Sequence, residues 1–239
     1  MKKVFPKEFS DLLNKKGLSI LSGKTRGHSD GKIAVVQNIL QLEYVASILP
    51  ELQKKVFPVL KNYRAPIPED SIWKLKKNYT EKLGKTMKMM TAEMNAKNSK
   101  AYRIAWDMGL IDMLSSVSYK SLGETLLGEK FGESNGKQVI CYQQGDYVSP
   151  HNDHHPENDN TKNGYYDIQL MMSNKYVKHQ WLVYEKNGFL NSMADIATPS
   201  GIAVYHLPFW HYTTPMIADP GNPDGALRWL FLHSFEHTG

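Results

Sequence analysis

The chain has 239 residues, 41% of them hydrophobic, and a single cysteine. That length suits one large domain or one domain with a substantial extension. No apolar run approaches the roughly 20 residues that span a bilayer, so no membrane partner is expected. The N-terminal lysines are not followed by the apolar run of a signal peptide. The lone Cys141 excludes an intrachain disulfide and makes a reducing cytoplasm the expected compartment. The formal net charge of +5 is unevenly placed. Residues 137–239 carry 6 Lys+Arg against 10 Asp+Glu, leaving the other 23 and 14 to residues 1–136. The basic half reads as lysine-rich solvated surface; nucleic acid is a possible but disfavoured partner.

In chain order, Phe9, Leu12 and Leu13 open a short helical pattern, followed by a stretch rich in Gly, Ser, Lys and Asp. Within it Ser-Gly-Lys-Thr-Arg-Gly (22–27) lacks the spacing of a phosphate loop. Apolar residues from Val35 to Leu49 recur at three- and four-residue intervals, which predicts helix over 34–63 with a break or turn at Pro50. Pro66 and Pro68 mark a loop. A helix is expected over 71–97, with Met87, Met89, Met90 and Met94 as core filler. One or two further helices are expected over 98–128, and Gly128 stands where a C-cap belongs.

After Lys137 the texture changes. Short runs over 139–142, 166–172, 180–184, 201–205 and 227–233 are rich in β-branched, aromatic and aliphatic residues, with Gly, Pro, Asn and Asp clusters between them. This spacing predicts a sandwich or jelly roll. The expected architecture is therefore α+β: a helical region over 1–136 buttressing a jelly-roll core over 137–239.

The chemistry concentrates in residues 142–153, Tyr-Gln-Gln-Gly-Asp-Tyr-Val-Ser-Pro-His-Asn-Asp. On a strand, His151 and Asp153 would share one face and project an imidazole and a carboxylate into one pocket. That is two-thirds of the 2-His-1-carboxylate triad of non-haem iron sites. The second histidine should come from a late strand running alongside. His211, ahead of Thr-Thr-Pro-Met, is the first candidate and His206 the alternative. Arg228, the only arginine after residue 103, lies inside an apolar strand. It needs an anion, either a carboxylate of the protein or that of a bound acid held in a bidentate fork.

With these pieces assembled, residues from about 108 to 236 resemble the 2-oxoglutarate- and iron(II)-dependent dioxygenases, in particular their prolyl-hydroxylase-like branch. The resemblance is carried by residues 142–153, by Gly-Ile-Ala-Val-Tyr (201–205), by His211 followed by Pro215, and by Arg228 with Trp229, in the family's order. It implies a double-stranded β-helix core in which His151, Asp153 and His211 bind iron(II). It also implies that Arg228, with Tyr142 as a hydrogen-bonding neighbour, binds the distal carboxylate of 2-oxoglutarate, with molecular oxygen as the other co-substrate. A hydroxylase acting on a protein side chain or a small metabolite is the expected function. The competing readings are a jelly-roll module that binds metal without turnover, and an oxygenase of nucleic acid. The carboxylate at 153 argues against halogenation, since halogenases of this superfamily have a small residue there. His154 and His155 read as loop residues. The polar stretch 155–164 reads as a loop at the mouth of the site.

Overall fold

The β-branched and aromatic runs after residue 130 become one antiparallel sheet whose alternate residues face two different cores. The computed structural model describes residues 3–25, 29–67, 85–154 and 161–238. Its helices are α1 (Lys15–Leu21), α2 (Leu42–Glu51), α3 (Lys100–Met108), α4 (Leu110–Leu114) and α5 (Val117–Leu127). The strands of the first half are β1 (Ser29–Asp30), β2 (Ile33–Gln37), β3 (Lys61–Pro66) and β4 (Thr86–Glu93). Those that follow are β5 (Phe131–Tyr142), β6 (Tyr147–His151), β7 (Tyr165–Ser173), β8 (Val177–His179), β9 (Trp181–Lys186), β10 (Phe189–Asp195), β11 (Ser200–Leu207), β12 (His211–Thr213), β13 (Ile217–Ala218) and β14 (Arg228–His237). The main sheet runs β1-β2-β11-β7-β14-β5-β4-β6-β12-β9-β10, with β3 on β4, and β8 and β13 form a separate pair.

The sheet folds over on itself as a jelly roll. One core lies between its two halves, where Met171, Ala203 and Leu230 meet Val148 and Leu182. The other lies between the sheet's outer face and the helices, where Ile168, Val204, Trp229 and Phe231 meet Phe9, Ile48, Leu114 and Leu122. The period-2 alternation of β7 and β14 assigns successive residues to the two cores. Helix α5 crosses close to the sheet because Gly123 has no side chain. A Cβ there would lie 2.5 Å from Ile168 Cδ1 and 2.8 Å from Phe131 Cε2. The helix is capped at both ends, the C-terminal cap being the one the sequence predicts. Ser116 accepts from the Tyr119 N–H, and Gly128 ends the helix at φ 75°.

Three expectations for the first half are corrected. Residues 33–37 form a strand on β11 rather than the start of a helix, since Ile-Ala-Val-Val-Gln is β-branched and pairs Val204 to Ala34 and Gly201 to Gln37. The helix itself starts at Leu42, and Pro50 does not stop it; the turns widen into a π-type segment over Leu52–Val56. The helix expected over 71–97 lies outside the described residues as far as 84. Beyond that the methionine-rich stretch is strand β4, paired with β5 from Met90↔Cys141 to Glu93↔Gln138. Strands from before residue 137 thus complete the sheet. No described helix is long and apolar enough to cross a membrane.

Candidate active site

Strand pairing places the two histidines. His211, first residue of β12, sits directly opposite His151, last residue of β6, with ring centroids 4.3 Å apart. Asp153 arrives differently from the expectation. The strand ends at His151, and Asp153 stands in the following loop at φ 52°. That left-handed conformation is one asparagine and aspartate tolerate better than most residues, and it swings the carboxylate back between the rings. Asp153 Oδ1 lies 3.3 Å from His151 Nε2 and Oδ2 lies 3.5 Å from His211 Nε2.

The other ring nitrogens are pinned to the backbone. His151 Nδ1 donates to the Ser149 carbonyl at 2.7 Å, and His211 Nδ1 to the Phe209 carbonyl at 3.0 Å. With Nδ1 protonated, each Nε2 presents a lone pair toward Asp153, the tautomer a metal ligand needs. Both imidazoles are buried. Burial and the charge of His151 push His211 down to about 4 against the pull of Asp153. Burial also opposes charge on His151, but the Asp153 carboxylate and the Ser149 carbonyl outweigh it and raise its pKa. A divalent cation placed against the two Nε2 lone pairs would satisfy both rings. Ligand atoms of the three residues all lie within 4.8 Å of one another. Two imidazoles and one carboxylate, with the cleft side open, fit a first-row metal such as iron(II).

Arg228 opens β14, in register with Tyr142 on β5 and Ser173 on β7. It is 1% exposed. Its Nε donates to the Ile196 carbonyl at 2.9 Å and its terminal nitrogen to Gln180 Oε1 at 3.2 Å. The guanidinium carbon stands 5.0 Å from the Tyr142 ring centroid. Tyr142 and the guanidinium act on each other electrostatically, and Thr213 stands close enough to the Tyr142 hydroxyl to oppose the rise that burial imposes on its pKa. Burial pushes the arginine's pKa down, and the groups that hold it up are Tyr142, Tyr205 and Cys141 rather than a carboxylate. Among the described residues no Asp or Glu pairs with it. Of the two partners open to it in the sequence, a carboxylate of the described residues is not there, and the guanidinium lines the cleft.

That cleft has a volume of ≈ 860 Å³ and runs through the folded sheet past His151, Asp153, His211, Tyr142 and Arg228. His206 does not share it. It sits on the sheet's other face, 3.0 Å from Glu129 Oε2, and joins a separate group with His237. His154 lies in the loop after β6, its backbone N–H donating to Asn152 Oδ1; His155 lies outside the described residues, as does most of the polar stretch after it. Trp181, Trp210 and Tyr212 are not among the residues that line the cleft.

Three contributors escaped the sequence. Gln180 is fully buried and donates to the Asp146 and Thr214 carbonyls, which turns its oxygen toward Arg228. Thr213 stands close to the Tyr142 hydroxyl. Tyr205 packs edge-on to His211 at 5.3 Å. A polar residue at the head of an apolar run was the available signal for Gln180; the others gave none.

No protein-family model matches the chain, and no curated protein matches it in sequence. Solved structures do match in shape. An oxidoreductase of the 2OG-Fe(II) oxygenase family from Burkholderia pseudomallei superposes at TM-score 0.53 with 9% identity, covering 95% of this chain and 94% of the other. The non-heme alpha ketoglutarate dependent carbocyclase SnoK from nogalamycin biosynthesis gives 0.52 and 8%, over 97% and 87%. A prolyl hydroxylase solved with a hypoxia inducible factor oxygen degradation domain peptide fragment from Trichoplax adhaerens gives 0.51 and 12%, over 93% and 90%. The fold is that of the 2OG-Fe(II) oxygenases. At these identities the likeness is one of fold, and the chemistry rests on the residues of the cleft.

Proposed function

We propose that this chain is an iron(II)- and 2-oxoglutarate-dependent oxygenase. It hydroxylates, or similarly oxidises, an unactivated C–H bond of a protein side chain or small metabolite. The overall reaction is R–H + 2-oxoglutarate + O2 → R–OH + succinate + CO2. The observation that carries the reading is the buried guanidinium of Arg228, with no carboxylate partner among the described residues, facing the same cleft as the His-Asp-His group. A metal-binding module without turnover has no use for such a cation. The cost of burying it unpaired is recovered when a dicarboxylate binds.

His151, Asp153 and His211 hold the metal, each imidazole fixed in its tautomer by a backbone carbonyl. Bound iron(II) would supply open coordination positions and the redox chemistry through which O2 couples 2-oxoglutarate decarboxylation to C–H oxidation. Arg228 takes the distal carboxylate of 2-oxoglutarate in a fork geometry, and the Tyr142 hydroxyl adds a third donor. Gln180 keeps the guanidinium aimed at the cleft. The aliphatic lining of Ile140, Val148, Leu182 and Leu230 keeps water away from the reacting end. A chain of this fold was solved with a peptide bound, which supports peptides beside small molecules as substrates. One buried cysteine suits a reducing compartment.

The test is an anaerobic titration of metal-free protein with iron(II) and 2-oxoglutarate, monitored by the visible charge-transfer band of the chelate. Wild type should show the band, His211→Ala should lose it, and Arg228→Ala should need far more 2-oxoglutarate. Iron binding without a band in wild type sinks the oxygenase reading.

A further inference from the structure

The inward rows of the sheet change character along the strands. Arg228 on β14 stands beside Tyr142 on β5 in the first row. Two residues along, Met171, Leu230 and Ile140 form an apolar row. Next come Gln169, Leu232 and Gln138. The last row pairs Asp167 with Ser234 and with Tyr205. At ~3.3 Å per residue, the six positions from Arg228 to Ser234 span about 20 Å, more than a five-carbon diacid reaches. The His-Asp-His group lines the same cleft as both ends of these rows. The Arg228 end takes the co-substrate, and the Asp167 end is left to the substrate.

Asp167 is 4% exposed and lines the cleft. Its partner is Ser234, whose hydroxyl donates to Oδ1 at 2.6 Å. Among the described residues no lysine, arginine or histidine pairs with it. Lys61 and Lys100, also on the cleft, are exposed at its rim. Burial, with the nearby Asp153 adding and Ser234 opposing, pushes the carboxyl up to about 7. A carboxylate buried without a counter-charge lacks a cation, just as Arg228 lacks an anion.

Resting on the oxygenase reading above, we propose that Asp167 is the substrate-binding carboxylate and that the substrate bears a cationic nitrogen, an ammonium or guanidinium. Ser234 holds one oxygen of the carboxylate and leaves the other for the incoming N–H. Gln169 and Gln138, the latter donating to Thr91 Oγ1 at 2.8 Å, line the same cleft and offer further hydrogen bonds.

The experiment is anaerobic calorimetry on the protein loaded with iron(II) and 2-oxoglutarate, followed by succinate formation in air. The probes are putrescine, agmatine and Nα-acetyl-L-lysine amide, each beside a neutral N-acylated counterpart. At least one cationic probe should bind and stimulate succinate formation, with its neutral counterpart at least ten-fold weaker. In Asp167→Asn, which keeps the shape and the Ser234 contact, binding of that probe should fall at least ten-fold while the charge-transfer band persists. The proposal is overturned if no cationic probe binds, if the neutral counterpart binds equally, or if Asp167→Asn binds like wild type. Failure of the oxygenase reading is seen separately, as a missing band before any probe is added.

Discussion

Two groups of two histidines and one carboxylate stand on opposite faces of the same sheet, and they differ in everything except composition. In the first, His151, Asp153 and His211 face the cleft, each Nδ1 tied to a backbone carbonyl and each Nε2 turned to the carboxylate. In the second, Glu129, His206 and His237 lie on the helix-bearing face. There Glu129 Oε2 already accepts from the Tyr166 hydroxyl at 2.6 Å and from His206 at 3.0 Å, and the two imidazoles stack 5.1 Å apart. Proximity of donors is common to both. What separates them is that backbone carbonyls hold both imidazoles of the first group with Nε2 toward its carboxylate, on the cleft that Arg228 also lines, whereas the Glu129 carboxylate is already bonded by Tyr166 and His206.

The largest expected effect breaks that comparison directly. His211→Ala should abolish iron-dependent succinate formation and remove the bound metal. His206→Ala should leave one iron per chain and keep activity, as metal analysis of the purified variants would show. Loss of iron in His206→Ala would mean the two groups were assigned the wrong way round. Next in size, Arg228→Ala removes charge-assisted bonds to the distal carboxylate worth ~3 kcal/mol together, roughly a 100-fold rise in the 2-oxoglutarate requirement. Arg228→Met sharpens the point. A broken buried ion pair costs about 3–5 kcal/mol, whereas Arg228→Met relieves an unneutralised buried charge, and that relief offsets the roughly 1–3 kcal/mol for each acceptor left unpaired at Ile196 and Gln180. Thermal melting of the ligand-free variant should therefore stay near wild type.

The site was more legible in the sequence than the frame around it. His151, Asp153, His211 and Arg228 were readable because each is an ionisable residue in an apolar or strand-like setting, where burial demands a reason. The strand alternation used to place Asp153 was the wrong route to the right neighbourhood: the positive φ at 153, not the pleat, brings the carboxylate in. The first half misled because Val35 and Val36 sit at helical spacing from Ile39 and Leu40, and pairing with β11 overrides that pattern. Methionine-rich β4 carries no β signal of its own and is strand because β5 offers an edge. Asp167 drew no notice within its run, since a single acid on a strand reads as the solvent face until both faces prove covered.

Smaller effects separate the two faces by packing. Gly123→Ala sets a methyl against Ile168 and Phe131 on the helix face. The overlap should cost about 1–3 kcal/mol, lowering the melting temperature by ~2–4 °C per kcal/mol. A melting temperature equal to wild type would show that α5 is free to lift.

The finest comparison is between two buried titratable groups on those faces. On the helix face His233 bonds the Leu114 carbonyl and Ser134. Burial, with Lys137 adding, pushes it down to about 3. The unfolded chain, near the ordinary value of 6.5, then binds the extra proton, so stability falls as pH drops below about 6.5. On the cleft face Asp167 lies near 7, above its ordinary 3.8. Here the folded chain holds the extra proton, so stability falls as pH rises from about 4 to 7. The two slopes oppose each other over pH 4–6.5 and flatten the wild-type profile. Denaturant titrations of the metal-free protein across that range should uncover each in turn. Asp167→Asn should gain stability with rising pH and His233→Gln should lose it, the curves diverging by on the order of a few kcal/mol. Parallel curves would mean that one of the two groups is wetter than its burial indicates. For Asp167 that would open the substrate end of the cleft to water and weaken its claim on a cation.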